Sequence, residues 1–204
     1  MPRLLIATNN QGKLAELKLV FRSLPCEIVS PYEIGIDLNV AETGSTFEEN
    51  ATLKSIAFAR ASNLLTLADD SGLEVEALGG KPGVLSARYA GEKATDSDRV
   101  NFLLAQMKNI PEEKRQARFR SVIAITTPQD WHTEICSGEC AGVITFEPSG
   151  ENGFGYDPVF FLPQLGKTMA EIPRDIKNGL SHRGIAARNA IPILNNMLSI
   201  LKYA

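Results

Sequence analysis

A short apolar run that leads straight into an amphipathic helical pattern constrains the fold of this chain more than any other feature. The run spans Arg3–Thr8 and has the length and composition of a buried strand. After a polar break, apolar residues recur every three or four positions up to Pro25, at Leu14, Leu17, Phe21 and Leu24. A strand followed directly by a helix is typical of the opening of an α/β fold.

The same alternation continues through the first half of the chain. Strands are predicted at Glu27–Pro31 and Leu65–Ala68, and helices at Thr46–Asn63 and Thr95–Met107. Thr46 opens the first of these helices with the spacing of a capping box, since a Glu follows three residues later.

The pattern changes in the second half. Two long strand-like segments, Arg118–Thr127 and Trp131–Ile144, flank residues typical of a turn, which predicts an antiparallel hairpin. A final helix is predicted over Ser181–Tyr203, and Pro192 is expected to kink or split it near Ala190. Because the sequence has no internal repeat and no linker, we expect one α/β domain over residues 1–204, with a mixed sheet and helices on both faces.

Composition excludes several classes of partner. The 204 residues carry a net charge of −3, with 44% hydrophobic and 22% charged residues, which is ordinary for a globular domain. Because the chain has no overall basic character, neither nucleic acid nor an anionic membrane is an expected partner. The apolar run at the start is too short for a signal peptide or a membrane span. The odd number of cysteines, three, indicates reduced thiols and predicts a cytoplasmic location.

Polar residues gather where the predicted strands end, and open α/β sheets bind their ligands at that edge. The first group is Thr8-Asn9-Asn10-Gln11-Gly12-Lys13, between the first strand and its helix. The free N–H groups of a helix start and the charge of Lys13 suit a phosphate. The alternative is an ordinary helix start, with Asn10 as the cap and Lys13 in solvent.

Two further groups place acidic and basic residues near the ends of predicted elements. Glu42 precedes the second helix, and Asn50 and Lys54 lie one turn apart on one face of that helix. Asp69-Asp70-Ser71-Gly72 follows a predicted buried strand. Adjacent carboxylates in such a place need a compensating positive charge, which Mg²⁺ could supply, but the same four residues could form a tight turn.

The last two groups combine aromatic and charged residues. Gly153-Phe154-Gly155-Tyr156-Asp157-Pro158 offers rings for stacking against a base beside a carboxylate, although a Gly-rich loop with core aromatics has the same composition. Lys177 precedes Ser181-His182-Arg183 at the start of the final helix. Positive charge there opposes the helix dipole unless an anion or a ring lies nearby. The alternative is that Ser181 caps the helix while His182 and Arg183 are solvated.

In this order, these segments resemble the inosine triphosphate pyrophosphatase family, also called the Ham1-like or non-standard purine NTP pyrophosphatases. The matching stretches run from Thr8 to Arg183 and are ATNNQGK, AETGSTFEENATLK, ADDSGLEVEALGGKPGVLSARYAG, GFGYDPVF and SHRG. The resemblance implies an elongated, two-lobed mixed sheet flanked by helices, with a central substrate cleft, usually in a homodimer. It also implies magnesium-dependent hydrolysis of ITP, dITP and XTP to the monophosphate and pyrophosphate, which removes deaminated purines from the nucleotide pool.

The resemblance further implies which residues hold the reacting end of a purine nucleoside triphosphate. The segment Thr8–Lys13 would bind the triphosphate, with help from Lys54. Glu42 and Asp70 would bind magnesium, and Asp70 would also be the general base for the attacking water. Ser71 would contact the substrate.

Other residues would hold the base by the same resemblance. Phe154 would stack on it, and Gly155–Asp157 would shape the pocket. The residues implied to read the purine edge are Lys177, His182 and Arg183.

Two alternative functions remain open. The Maf-like pyrophosphatases have a similar architecture but act on pyrimidine or modified nucleotides, and the GFGYD and SHR stretches argue against them. A non-catalytic nucleotide-binding or RNA-binding module is the second alternative, and it would not need both Glu42 and Asp70.

Overall fold

The structure is a computed structural model that describes residues 1–201, with the side chain of Leu201 excluded. The helices and strands in chain order are β1 Arg3–Ile6, α1 Gln11–Val20, β2 Glu27–Val29, α2 Phe47–Ser62, β3 Leu65–Val75, α3 Asp96–Gln106, β4 Gln116–Thr126, β5 Thr133–Ile144, β6 Phe160–Leu162, β7 Lys167–Thr168, α4 Arg174–Leu180 and α5 His182–Leu201. The last part of the predicted final helix, Lys202–Tyr203, lies outside the described residues.

The strands form one sheet in the order β2-β1-β3-β4-β5-β6-β7. Strand β1 is parallel to both β2 and β3. At the other end of the order, β6 is antiparallel to both β5 and β7. The sheet is therefore mixed, as predicted, and the two long strands β4 and β5 are neighbours joined by the expected turn.

The chain folds into two compact units, each built from more than one stretch of sequence. The first unit contains Met1–Asp70, Ser121–Gly138 and the chain from Arg183 onward, and the second contains Ser71–Arg120 and Glu139–His182.

In the first unit, apolar side chains cover both faces of the sheet. Leu4 and Ile6 point to one face, where they pack with residues of α1 and α5, whereas Leu5 and Ala7 point to the other and pack with Phe58 of α2. Successive residues of a strand face opposite sides, so a strand that is covered on both sides is apolar throughout. The predicted helices on both faces are confirmed in this unit.

In the second unit, the core lies on one side of the strands. Leu73 and Val75 of β3 pack there with α3 and with β6. On the other face of these strands, charged side chains of β3, β4 and β5 pair with one another. The Nε of Arg118 lies 2.5 Å from the Oε2 of Glu74, and its Nη1 lies 3.4 Å from the Oε2 of Glu139. This charged ladder is half exposed, and it is the alternation expected of strands with one solvated face.

Two predictions about element boundaries are wrong. Strand β3 does not end at Ala68 but continues to Val75, which excludes the alternative of a tight turn at Asp69-Asp70-Ser71-Gly72. Helix α5 continues without a break through Pro192, so of the predicted kink or split near Ala190 the split is wrong. Proline costs a helix one backbone hydrogen bond, and the fully buried side chains of α5 on both sides of Pro192 offset that loss.

The helix caps follow the sequence closely. Thr46 caps α2, since its hydroxyl oxygen accepts the N–H of Glu49 at 3.1 Å. Thr95 and Asp98 form a complete capping box at the start of α3. Helix α1 ends at Val20, four residues before the last apolar position of its pattern.

No helix in the described part of the chain is long and apolar enough to cross a membrane.

Candidate active site

The segment after β1 begins α1 with exposed polar groups. The Oδ1 of Asn10 accepts the N–H of Lys13 at 3.0 Å, and the hydroxyl oxygen of Thr8 accepts the N–H of Asn10 at 3.2 Å. Asn10 is thus the helix cap, as the simpler interpretation of this segment had it. Lys13, by contrast, is mostly buried: its side chain is 17% exposed, and its Nζ lies 2.8 Å from the Oδ2 of Asp69.

Asp69 is the centre of a buried network of charges in the first unit. Its Oδ2 also lies 3.4 Å from the Nε of Arg183, and its Oδ1 accepts the hydroxyl of Ser121 at 2.5 Å. The Nη1 of Arg183 in turn lies 2.6 Å from the Oε2 of Glu16. Burial alone would raise the pKa of Asp69, but the charges of Lys13 and Arg183 hold that pKa well below its usual range. This carboxylate is therefore permanently charged near neutral pH.

Asp70 faces the opposite side of β3, because adjacent strand residues alternate. Its Oδ1 lies 3.4 Å from the Nζ of Lys54, and the same ammonium lies 2.8 Å from the Oε1 of Glu42. Lys54 also donates to the backbone carbonyl of Asp69 at 2.8 Å. One cation of the protein thus lies against two carboxylates that come from different segments of the chain.

The second oxygen of Asp70 is buried, and within residues 1–201 no group hydrogen-bonds to it. Burial raises the pKa of Asp70 above the ordinary aspartate value, even though the charges of Lys54 and Lys13 oppose that shift. For Lys54 the balance is reversed: burial lowers its pKa, but the neighbouring Asp70 and Glu42 raise it further. A buried carboxylate oxygen without a donor has capacity to accept a proton or to bind a cation.

The segment that carries Glu42 is held by a fully buried side chain of α2. The Oδ1 of Asn50 accepts the N–H of Gly44 at 2.8 Å. Asn50 and Lys54, one turn apart, both face this segment, as their predicted common helix face requires. The helix α2 therefore positions both the lysine and the acidic segment with which it pairs.

Glu42 and Asp70 fit a hard divalent cation. Each presents one carboxylate oxygen toward the Lys54 ammonium, and the other oxygen of Asp70 is buried with no donor among the described residues. The described residues contain no group of three or more His, Cys, Asp or Glu side chains suited to a metal. Magnesium uses few protein ligands, because it keeps waters and substrate phosphates in its shell. Two carboxylates are therefore a sufficient protein contribution.

In the second unit, Asp157 and Lys177 form a buried ion pair beneath an aromatic ring. The Nζ of Lys177 lies 2.5 Å from the Oδ2 of Asp157 and 4.8 Å from the ring centroid of Phe154. The same Oδ2 accepts the N–H of Phe154 at 2.9 Å. Gly153 has a φ of +79°, and a Cβ there would stand 2.0 Å from that carboxylate oxygen. Only glycine permits this approach.

The other predicted base-binding residues also belong to the second unit. The hydroxyl of Tyr156 donates to the carbonyl of Ser86 at 2.9 Å, and burial raises the pKa of this phenol. His182 is buried, with its ring stacked on Phe119 at 4.6 Å between centroids and 13° between planes. Ser71 lies in β3, partly buried. His182 and Arg183 are both buried, so the alternative in which these two side chains are solvated is wrong.

The structure thus brings the predicted residues together in two groups. The first unit holds the triphosphate and metal candidates, namely Thr8–Lys13, Glu42, Lys54 and Asp70. The second unit holds the base candidates Phe154–Asp157, Lys177 and His182. Arg183, predicted with the second group, lies in the first unit with Asp69.

Two charged residues of the first unit had no role in the sequence interpretation. Asp69 is half of the acidic pair that the sequence shows. Because adjacent residues of a strand face opposite sides, extending the predicted strand through the pair would have given Asp69 a site separate from that of Asp70. Glu16 carried no signal, because a carboxylate inside an amphipathic helix is ordinarily solvated.

Comparison with protein families and curated proteins gives one consistent result. The model of the Ham1 family matches residues 4–193. A dITP/XTP pyrophosphatase of Shigella flexneri is 45% identical over 197 residues, which cover 96% of this chain and 100% of that protein. A dITP/XTP pyrophosphatase of Staphylococcus epidermidis is 48% identical over 198 residues, with 97% of each chain covered. The matches therefore include both compact units.

Solved structures agree with these matches. The Ham1 protein of Staphylococcus aureus is 46% identical and has a TM-score of 0.81, with 97% of this chain and 98% of that chain covered. A HAM1 protein of Coxiella burnetii is 40% identical and has a TM-score of 0.83, with both chains covered completely. The mixed sheet with its helices is thus an architecture already solved for similar sequences.

Proposed function

Because this chain belongs to the Ham1 family, we propose that it hydrolyses non-standard purine nucleoside triphosphates, namely ITP, dITP and XTP, to the monophosphate and pyrophosphate. The similarity over almost the full length to dITP/XTP pyrophosphatases supports this activity. The single observation in the molecule that carries it is the carboxylate of Asp70, buried beside Lys54 with one oxygen that has no donor within residues 1–201. Such a group is suited to activate a water.

We assign the chemical step to attack of that water at the α-phosphorus. Water is a poor nucleophile, so a carboxylate must orient it and take its proton. Burial raises the pKa of Asp70, which makes this carboxylate a stronger base than an exposed aspartate. The ammonium groups of Lys13 and Lys54 stabilise the negative charge that develops on the departing pyrophosphate.

The triphosphate binds to the first unit in this proposal. The exposed N–H groups at the start of α1 and the side chains of Thr8–Gln11 offer donors to phosphate oxygens. Glu42 and Asp70 would hold magnesium, which would supply positive charge near the leaving pyrophosphate. Ser71 contacts the substrate beside Asp70.

The second unit binds the base. Phe154 offers a ring for stacking, and Tyr156 and Asp157 shape the pocket around it. Hypoxanthine and xanthine present a carbonyl at C6, whereas adenine presents an amino group. A donor from Lys177, His182 or Arg183 therefore bonds the first two bases and meets another donor in adenine. GTP shares the C6 carbonyl, so its rejection depends on its 2-amino group.

We propose that both units together form one pyrophosphatase domain, because the family match covers residues of each. A homodimer is proposed on the family resemblance. The cytoplasm is the proposed location, since Cys26, Cys136 and Cys140 are all free thiols. In the same proposal, neither nucleic acid nor a membrane is a partner.

The proposed activity is tested by pyrophosphate release from ITP, dITP, XTP, ATP and GTP in water enriched in oxygen-18. ITP and dITP are expected to be comparable substrates, and XTP is expected to be hydrolysed as well. For ATP, kcat/KM is expected to be lower by up to about 10⁴-fold, as for sites that read one polar group. The label is expected in IMP and not in pyrophosphate, without IDP as an intermediate. Omission of magnesium should stop turnover.

Two results would contradict this proposal in different ways. Label in pyrophosphate would mean attack at another phosphorus, so the role of Asp70 would be wrong. Equal turnover of all five nucleotides would leave a general triphosphate pyrophosphatase and remove the base-reading role of Lys177, His182 and Arg183.

Replacement of Phe154 by Ala is expected to raise KM for every purine substrate. Base stacking on an aromatic ring contributes about 1–3 kcal/mol, which corresponds to a loss of roughly 5- to 150-fold. Stacking does not depend on the edge of the base, so the ratio of kcat/KM between ITP and ATP is expected to stay constant. Tyr32→Ala, at a ring that is 90% exposed in the first unit, is the matched control. A change in the ratio would mean that Phe154 reads the purine edge.

A further inference from the structure

The loop that carries Phe154 and Tyr156 is restrained by polar contacts from outside the loop. Gly155, between them, has a φ of +63°, and no atom of the described chain outside its immediate neighbours lies within 4 Å of the position where its Cβ would be. Glycine has no side chain to restrict its backbone, and no neighbour crowds this position. Tyr156 is buried in the core, so the polar contact of the Gly155 peptide is what restrains the backbone between that residue and Phe154.

A carboxylate from a different element supplies such a contact. The N–H of Gly155 donates to the Oδ2 of Asp96, the first residue of α3, at 2.7 Å. The two residues are far apart in sequence but belong to the same compact unit. This charge-assisted hydrogen bond fixes the peptide that joins Phe154 to Gly155.

Asp96 is itself held in place. Its Oδ1 pairs with the guanidinium of Arg99, one turn along α3. The Nη1 of Arg99 donates to the carbonyl of Ala87 at 2.9 Å and to that of Ala94 at 2.6 Å. Tyr156 donates to the carbonyl of Ser86. The loop is therefore connected to one short segment, Gly83–Arg88, both directly through Tyr156 and indirectly through Asp96 and Arg99.

We propose that Asp96, oriented by Arg99, is a positioning residue that fixes the conformation of the base specificity loop. We define this loop as Gly153–Asp157. The inference rests on the proposed function, in which Phe154 stacks on the base. Asp96 acts through the amide of Gly155 and does not contact substrate. It selects the loop conformation in which the Phe154 ring lies over the ion pair of Lys177 and Asp157.

The test compares Asp96→Ala with Asp98→Ala. Both carboxylates lie in the first turn of α3, but Asp98 accepts from Thr95, in the capping box. The measurements are kcat and KM for ITP, the Kd of IMP, the inhibition constant of pyrophosphate, and hydrogen exchange of the Gly155 amide. Pyrophosphate lacks a base, so its binding reports on the triphosphate site alone.

For Asp96→Ala we expect KM for ITP and Kd for IMP to rise about 10-fold, the loss typical of one hydrogen bond to a charged group. Inhibition by pyrophosphate and kcat should change less than about twofold, and the Gly155 amide should exchange faster. Asp96→Asn, which keeps an acceptor oxygen, should recover part of the affinity. Asp98→Ala should lower the melting temperature and leave KM unchanged.

Several outcomes would overturn the inference. An equal rise of KM in Asp98→Ala would mean that the integrity of α3 matters and the Gly155 contact does not. Unchanged exchange of the Gly155 amide in Asp96→Ala would exclude the positioning role directly. This last measurement needs no activity, so it decides the inference even if the unmodified protein fails to hydrolyse ITP, which would contradict only the proposed function.

Discussion

Asp70→Asn is expected to lower kcat for ITP by about 10²–10⁴-fold from the loss of the general base alone, with damage to the metal site adding to that loss. An amide cannot take a proton from water and is a weaker ligand for magnesium. The measurement is pyrophosphate release at saturating ITP and magnesium, alongside a thermal melt of the same sample.

The variant should fold, because the amide has nearly the shape of the carboxylate. A buried charge is costly, and burial already raises the pKa of Asp70, so removal of the charge relieves that cost. Asp37→Asn, at an exposed aspartate of the first unit, is the matched control and should leave both measurements unchanged. Near-normal turnover of the Asp70 variant would remove both proposed roles of this residue.

The periodicity of apolar residues predicted most of the fold. The continuous apolar run of β1 and the three-to-four spacing in α1 follow directly from which faces are buried, and burial is the property that a sequence pattern indicates best. The boundary errors have a physical cause as well. Asp69 and Asp70 are polar residues inside β3, and they belong to a strand because cations supplied by Lys13 and Lys54 compensate their charges. Those partners are remote in sequence, so the local pattern ended the predicted strand at Ala68 and left a tight turn open as an alternative.

Pro192 is the second such case. Local propensity predicts a break in the helix, but Ala190 before it and Leu194 after it are both completely buried in one core. Tertiary packing outweighs a penalty of about 3 kcal/mol for proline in a helix interior. The packing depends on the strands β1, β3 and β4, which the sequence of the helix does not reveal.

The sequence predicted candidate residues for the site but not the side chains with which they pair. Motifs identified Lys13, Asp70 and Phe154 because particular residue types recur at the ends of predicted elements. The ion pair of Arg183 with Glu16 joins the last helix to the first. No spacing rule connects residues so distant, so the sequence assigned Arg183 to the base alone, whereas the structure adds a charged network in the first unit.

Arg183→Ala is accordingly expected to lower the free energy of unfolding by about 3–5 kcal/mol, the usual effect of breaking a buried ion pair. The side chains of Arg183 and Glu16 are 4% and 5% exposed, so the carboxylate of Glu16 would lose its charge partner without gaining solvent. Urea unfolding of the variant measures this loss. Arg22→Ala, at an exposed arginine of the same unit, should change the free energy little.

The double variant Glu16→Leu/Arg183→Leu removes both charges of the pair, so it measures stability without leaving one charge buried alone. Apolar residues of similar volume often replace a buried pair without loss, so the double variant should recover most of the stability that Arg183→Ala loses. The activity of this variant then tests the proposed role of Arg183 in binding the purine edge. If the protein is stable but no longer prefers ITP to ATP, the loss of preference is due to the missing contact with the base. Full retention of that preference in the stable double variant would mean that Arg183 serves the folded structure alone, and that Lys177 and His182 read the base without it.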